Sequence, residues 1–160
     1  MSAQTEYGYL SSKGAPGTLY DNAPHEVISR RNEEESGKLR YGLGVVIGTN
    51  KGYQVKLPIT GASMSNFEGV VIDGYTDEMD LDGNVAIKYD GTVGIVRKGN
   101  IWARLAKDAN PGYGDDVYLI TSGDEAGYFT NVTGANTFKI TNARFLRGKG
   151  TGIAAPISLG

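Results

Sequence analysis

The stretch Tyr53-Gln54-Val55-Lys56-Leu57-Pro58-Ile59 decides the fold class. An extended chain sends successive side chains to opposite faces, so Tyr53, Val55, Leu57 and Ile59 share one side and the polar residues the other. The segment reads as a strand with one wet face. Similar short runs lie at Tyr41–Ile47, Phe67–Ile72, Val85–Tyr89, Thr92–Arg97, Ile101–Ala106, Val117–Thr121, Phe138–Ile140, Ala143–Leu146 and Ile153–Leu159. Turn signals separate them, of which Asp82-Gly83-Asn84 and Asp90-Gly91 are the most specific hairpin corners. No run has the period of a long helix. Many short strands at about ten-residue spacing predict an all-β fold, a compact barrel or sandwich of antiparallel strands whose inward faces close on each other and remove sheet edges.

Composition agrees. Glycine and proline, 24 and 5 of 160 residues, exceed the roughly 12% of an ordinary soluble chain and favour turns over helices. Leu, Ile, Val and Phe supply 36 residues, or 22.5%, just above the floor of about 20% below which a chain lacks the means to form a core. A chain of this length makes one domain. The first forty residues read differently from the rest. Ser11–Gly17 and Asn22-Ala23-Pro24 are turn chemistry and Glu33-Glu34-Glu35 is an acidic run, yet Tyr7, Tyr9, Leu10, Leu19 and Tyr20 are too apolar for a linker. Residues 1–40 are therefore expected to form an extended N-terminal arm with the first turns, and 41–160 the β-rich domain. An N-terminal strand tied to its own domain is the alternative.

Most chemistry fails on composition or spacing. With no cysteine, disulfides, thiolate metal sites and cysteine nucleophiles are excluded. His25 is the only histidine, which removes multi-histidine metal sites and leaves one candidate base, in a turn-rich surface segment. Glu78-Met79-Asp80-Leu81-Asp82-Gly83 resembles the front of a calcium loop, but the closing position is Tyr89. Gly42–Gly48 lies in a β-branched run without a helix to receive a pyrophosphate, and Gly148-Lys149-Gly150 lacks the Ser or Thr of a phosphate loop. Glu68, Asp73, Asp77 and Glu78 are not diagnostic of a glycosidase pair. Asn131-Val132-Thr133 fits a glycosylation acceptor and reads as loop chemistry. The expectation is a protein that is not an enzyme and takes no cofactor or metal. Its formal charge of −2 supplies no field for nucleic acid, and no apolar run is long enough to span a membrane. The N-terminus lacks a signal peptide's basic start and apolar run, so synthesis in the cytoplasm is expected.

Charge is segregated along the chain. Glu68 to Asp90 carries seven acidic residues and one basic, and Lys139 to Gly160 four basic and none acidic. The two segments are either complementary patches for association or solvated faces of opposite sign. In Ile101-Trp102-Ala103-Arg104-Leu105, Trp102 and Arg104 oppose the aliphatic face. They are either exposed interface anchors, or Trp102 lies beneath the arm.

Phe67-Glu68-Gly69-Val70, Val85-Ala86-Ile87 leading to Asp90–Ile95, Gly114-Asp115-Asp116-Val117-Tyr118, Ala143-Arg144-Phe145-Leu146, and Gly152-Ile153-Ala154 with Leu159 resemble the structural cement (decoration) proteins of tailed-bacteriophage capsids. The resemblance runs from about residue 65 to the end. It implies a β-rich homotrimer on the outer capsid surface of the virion, bridging major capsid protein subunits, with no catalytic residues inherited. The family offers no fixed contact motif. The physical candidates for partner binding are Tyr7, Tyr9, Leu10, Leu19 and Tyr20 in the arm, Arg30 and Arg31 as electrostatic contacts, and Trp102 with Arg104. The alternative is a carbohydrate-binding or adhesion-type β-sandwich module of a phage particle, with Trp102 and exposed tyrosines stacking on sugars.

Overall fold

In Glu26–Asn32, strand β1, side chains alternate so that Val27, Ser29 and Arg31 face outward while Ile28, Arg30 and Asn32 turn inward. The computed structural model describes residues 15–74, 87–149 and 153–160. Asn32 is a polar residue in an apolar place, and its amide is fully used. Nδ2 donates to the carbonyls of Lys88 and Ile87, and Oδ1 accepts from the Glu34 N–H. β1 falls inside the stretch read as an arm, and its short run Val27-Ile28 gives a weak periodic signal.

The remaining strands are β2 (Gly44–Ile47), β3 (Gln54–Lys56), β4 (Phe67–Val71), β5 (Thr92–Arg104), β6 (Asp116–Ile120), β7 (Phe129–Thr130), β8 (Thr137–Phe145) and β9 (Ala154–Leu159). A 3₁₀ turn, Met64–Asn66, precedes β4. β1 pairs with β3 in parallel, then β3 with β2, β2 with β4, β4 with β5 and β5 with β1 antiparallel. The five strands close into a small barrel. A second sheet runs β5–β9–β8–β6–β7, all antiparallel, and a bridge from Leu105 to Phe129 brings its far end back to β5. The all-β expectation holds, and closure takes the form of a barrel.

β5 thus serves two cores. Val93 and Ile95 pack into the barrel with Leu39, Val45, Val55, Val71 and Ile87. Ile101, Ala103 and Leu105 pack into the second core with Leu119, Phe129, Phe145 and Ile157. Val96, of opposite parity to Ile95, belongs to the second core as well. The change of phase lies at Arg97. β1 pairs Glu26 with Lys98 but Val27 with Val96, so Arg97 is an extra residue, and one extra residue exchanges the two faces of a strand.

Several expected runs are shorter or longer in the fold. Tyr53–Ile59 contributes only three residues of strand. Val55 is fully buried, but Tyr53 and Ile59 are 67% and 59% exposed. Tyr53 closes a turn on Asn50, and Pro58 has no N–H to continue a ladder, so the chain leaves the sheet after Lys56. Conversely, Thr92–Arg97 and Ile101–Ala106 merge into the 13 residues of β5, and Phe138–Ile140 joins Ala143–Leu146 in β8 through Asn142 at φ 57°. Ile87–Tyr89 is not strand, and Val85, Ala86 and the corner Asp82-Gly83-Asn84 lie outside the described residues.

Candidate interaction surface

Residues 17–21 run beside β5 as an additional short strap. The Gly17 N–H donates to the Trp102 carbonyl at 2.8 Å, the Trp102 N–H to the Thr18 carbonyl at 2.9 Å, and the Tyr20 N–H to the Asn100 carbonyl at 2.9 Å. Leu19 bridges Ile101, and Asn100 Nδ2 donates to both Asp21 carboxylate oxygens at 2.9 and 3.2 Å. Gly17, at φ 88°, is needed here because a Cβ would press on Tyr41 and the backbone of residues 71 and 73.

The strap covers Trp102, whose exposure is 0%. Tyr20 meets the indole edge-on with ring centroids 5.8 Å apart, and the Arg147 guanidinium lies 6.0 Å from the ring centre. Of the two placements left open by the sequence, Trp102 takes the one beneath the N-terminal segment. Arg147 completes the stack, and its only sequence signal was membership of the basic tail. The indole Nε1 is buried and has no hydrogen-bond partner among the described residues.

Leu19 and Tyr20 are half-buried in this strap. Tyr7, Tyr9 and Leu10 lie outside the described residues. Arg104, next to Trp102 on the same face, is half-buried and donates from Nε to the Tyr41 carbonyl at 3.3 Å. Burial pulls its guanidinium below the usual range, with the Arg40 charge adding to that and Tyr128 opposing it. The structure therefore brings Tyr20 and Trp102 into contact, while Leu19 packs on the second core and Arg104 engages Tyr41 farther along β5.

The other two arginines sit on the barrel. Arg30 points inward to Glu68, Nε to Oε2 at 3.4 Å, with both side chains less than one-fifth exposed. Arg31 points outward, paired with Asp90 at 3.0 Å with both partners about half exposed. Beside it, Tyr53 lines a shallow depression of about 180 Å³ with Ser29, Gly52 and Thr92. Tyr53 in this setting was not foreseen, because alternation assigned it to the interior.

The acidic and turn motifs find structural roles. Glu68 is spent on Arg30, Asp73 is exposed at the end of β4, and Asp77, Glu78 and the calcium-like segment lie outside the described residues. The Asp115 carboxylate accepts from the Gly112 N–H at 2.8 Å and Asn131 Nδ2 at 3.0 Å, and these bonds hold its pKa below the usual carboxylate range. That same bond engages the amide of the Asn131-Val132-Thr133 acceptor sequence. Lys139 pairs with Asp116 at 3.2 Å, so part of the basic tail is neutralised within the second sheet. Among the described residues no helix is long and apolar enough to cross a membrane.

The profile of one family, structural cement protein (E217 gp24/Pam3 gp6), matches residues 3–160. The chain belongs to the phage structural cement proteins. A chain in the capsid of Myoviridae phage XM1 has the same fold, with a TM-score of 0.76 at 18% identity, covering 100% of this chain and 98% of that one. No curated protein matches. A capsid cement role in the virion follows from family membership, and it asks of the molecule a rigid body and contact surfaces.

Proposed function

We propose that this cement protein is made in the host cytoplasm, sits on the outer surface of the capsid as a homotrimer, and bridges neighbouring major capsid protein subunits without catalysing a reaction. The observation that carries the reading is the family match over residues 3–160, which includes the arm as well as the two-core body. The chain upstream of Ala15 has a reach of up to about 46 Å when extended. Tyr7, Tyr9 and Leu10 are the contacts in this reading, because tyrosine buries a large ring while keeping a polar tip wet. Arg31 with Tyr53 on the barrel surface is a second contact. Leu19, Tyr20 and Trp102 hold the arm's base, and Arg30 and Arg104 are engaged within the body. Attachment of three arms adds avidity, and binding only the folded form stabilises both partners by mass action.

The test is attachment of the purified protein to shells lacking it, with copy number measured by quantitative mass spectrometry. The full chain is expected at near-stoichiometric ratio to the major shell protein, and a chain lacking residues 1–14 is expected to fold and fail to attach. Stoichiometric attachment by the folded, truncated chain would overturn the arm's role. A longer cut, through residue 22, would remove the cover of Trp102 and confuse the two effects.

A further inference from the structure

We propose that the strap Gly17–Asp21 is a separable latch, which docks the base of the arm on β5 and releases without unfolding the body. This rests on the reading that residues 1–14 carry shell contacts.

The latch is specific because β5 has nothing else to offer at that point. Both backbone polar groups of Trp102 are turned to the strap, and the residue opposite on β9 is Pro156, which has no N–H to donate. Removing the strap leaves the Trp102 N–H and carbonyl for water alone. Asp21 closes the far end through Asn100, and also accepts from the Ala23 N–H at 3.0 Å, which fixes the turn leading out of the strap.

The latch is separable because little of either core depends on it. Gly17, Thr18, Tyr20 and Asp21 belong to neither apolar cluster, and Leu19 packs only at the edge of the second. Four backbone bonds, three to β5 and one from the Asp73 N–H to the Gly17 carbonyl at 2.8 Å, with one side-chain pair and the aromatic stack, hold it. Against these stands the indole Nε1, a buried donor with no partner among the described residues, which gains a water when the strap lifts. Such an unsatisfied donor lowers the cost of opening. A short segment with few apolar contacts opens locally before the sheets do. While docked, it fixes where the chain upstream of Ala15 leaves the body, and so removes part of the ordering cost of attachment.

Trp102 is the only tryptophan and reports the event directly. The experiment uses full-length Tyr20→Pro, which removes one strap N–H and the ring against the indole, with Arg147→Gln as a second variant that uncovers the other side. In Tyr20→Pro the Trp102 emission is expected to move to longer wavelength and become quenchable by acrylamide. Amide exchange in β8 and β9 should stay at the parent rate, and affinity for shells should fall about tenfold although residues 1–14 are present. Arg147→Gln should give the same shift, smaller. Unchanged emission in both variants overturns the latch, as does loss of β8 and β9 protection, which would make the strap part of the core. A red shift with undiminished attachment overturns its coupling to the arm. If removal of residues 1–14 leaves attachment intact, the arm reading fails instead, while the emission and exchange results still judge whether the strap is separable.

Discussion

Glu68 and Gly69 show how much a single position carries. β2 pairs Val45 with Gly69 and Val46 with Phe67, so Glu68 is an extra residue that bulges out of the ladder and turns toward Arg30. Gly69 must follow it with φ 151°, and a Cβ there would run into the Val96 carbonyl oxygen and the Ile95 side chain. Phe67-Glu68-Gly69-Val70 is also one of the segments carrying the family resemblance, and the geometry supplies a physical reason for its form. Gly69→Ala combines an unfavourable backbone conformation with a backbone clash between two barrel strands. It should lower stability by about 3 kcal/mol, measured by urea unfolding with an unchanged m-value. A loss below about 0.5 kcal/mol would show that β4 shifts freely against β5.

At the scale of the element, β5 is the strand on which both the barrel and the second sheet depend, and its phase change at Arg97 gives each of them an apolar face. Arg97 is exposed, so its side chain contributes little to packing and its backbone contributes a residue of length. Deleting Arg97 should turn Ile101, Ala103 and Leu105 to the face of Trp102 and bring Trp102 and Arg104 toward the second core. The expected result is a chain without a cooperative unfolding transition, since the loss exceeds the roughly 5–15 kcal/mol that holds a domain together. Arg97→Gly keeps the length and should retain the native far-UV circular dichroism spectrum. A native-like spectrum from the deletion variant would place the phase change elsewhere, for instance at Gly99, which has φ 124°.

For the whole molecule, sharing one strand means that neither core survives the loss of the other. Gly44 reinforces the link, because its backbone sits where a side chain would strike Leu119 and Phe129 of the second core. Calorimetry should show one transition with equal calorimetric and van't Hoff enthalpies. Two resolved transitions would mean that the barrel and the second sheet fold independently and that β5 is divisible. Such unity suits the bridging role proposed above, in which load passes between contacts without the body yielding. Local physics sufficed for the β class and the turn-rich architecture, since side-chain alternation and glycine corners are properties of neighbouring residues. The segments resembling cement proteins pointed to the family for the same reason. Three matters were settled only by contacts between residues far apart in the chain. Glu26–Asn32 became a barrel strand because β5 pairs along it and β3 pairs with its end at Arg31 and Asn32. Tyr53 and Ile59 turned outward because the ladder ended between them. Trp102 was buried because the strap lies over it, and no periodicity within Ile101–Leu105 contains that information.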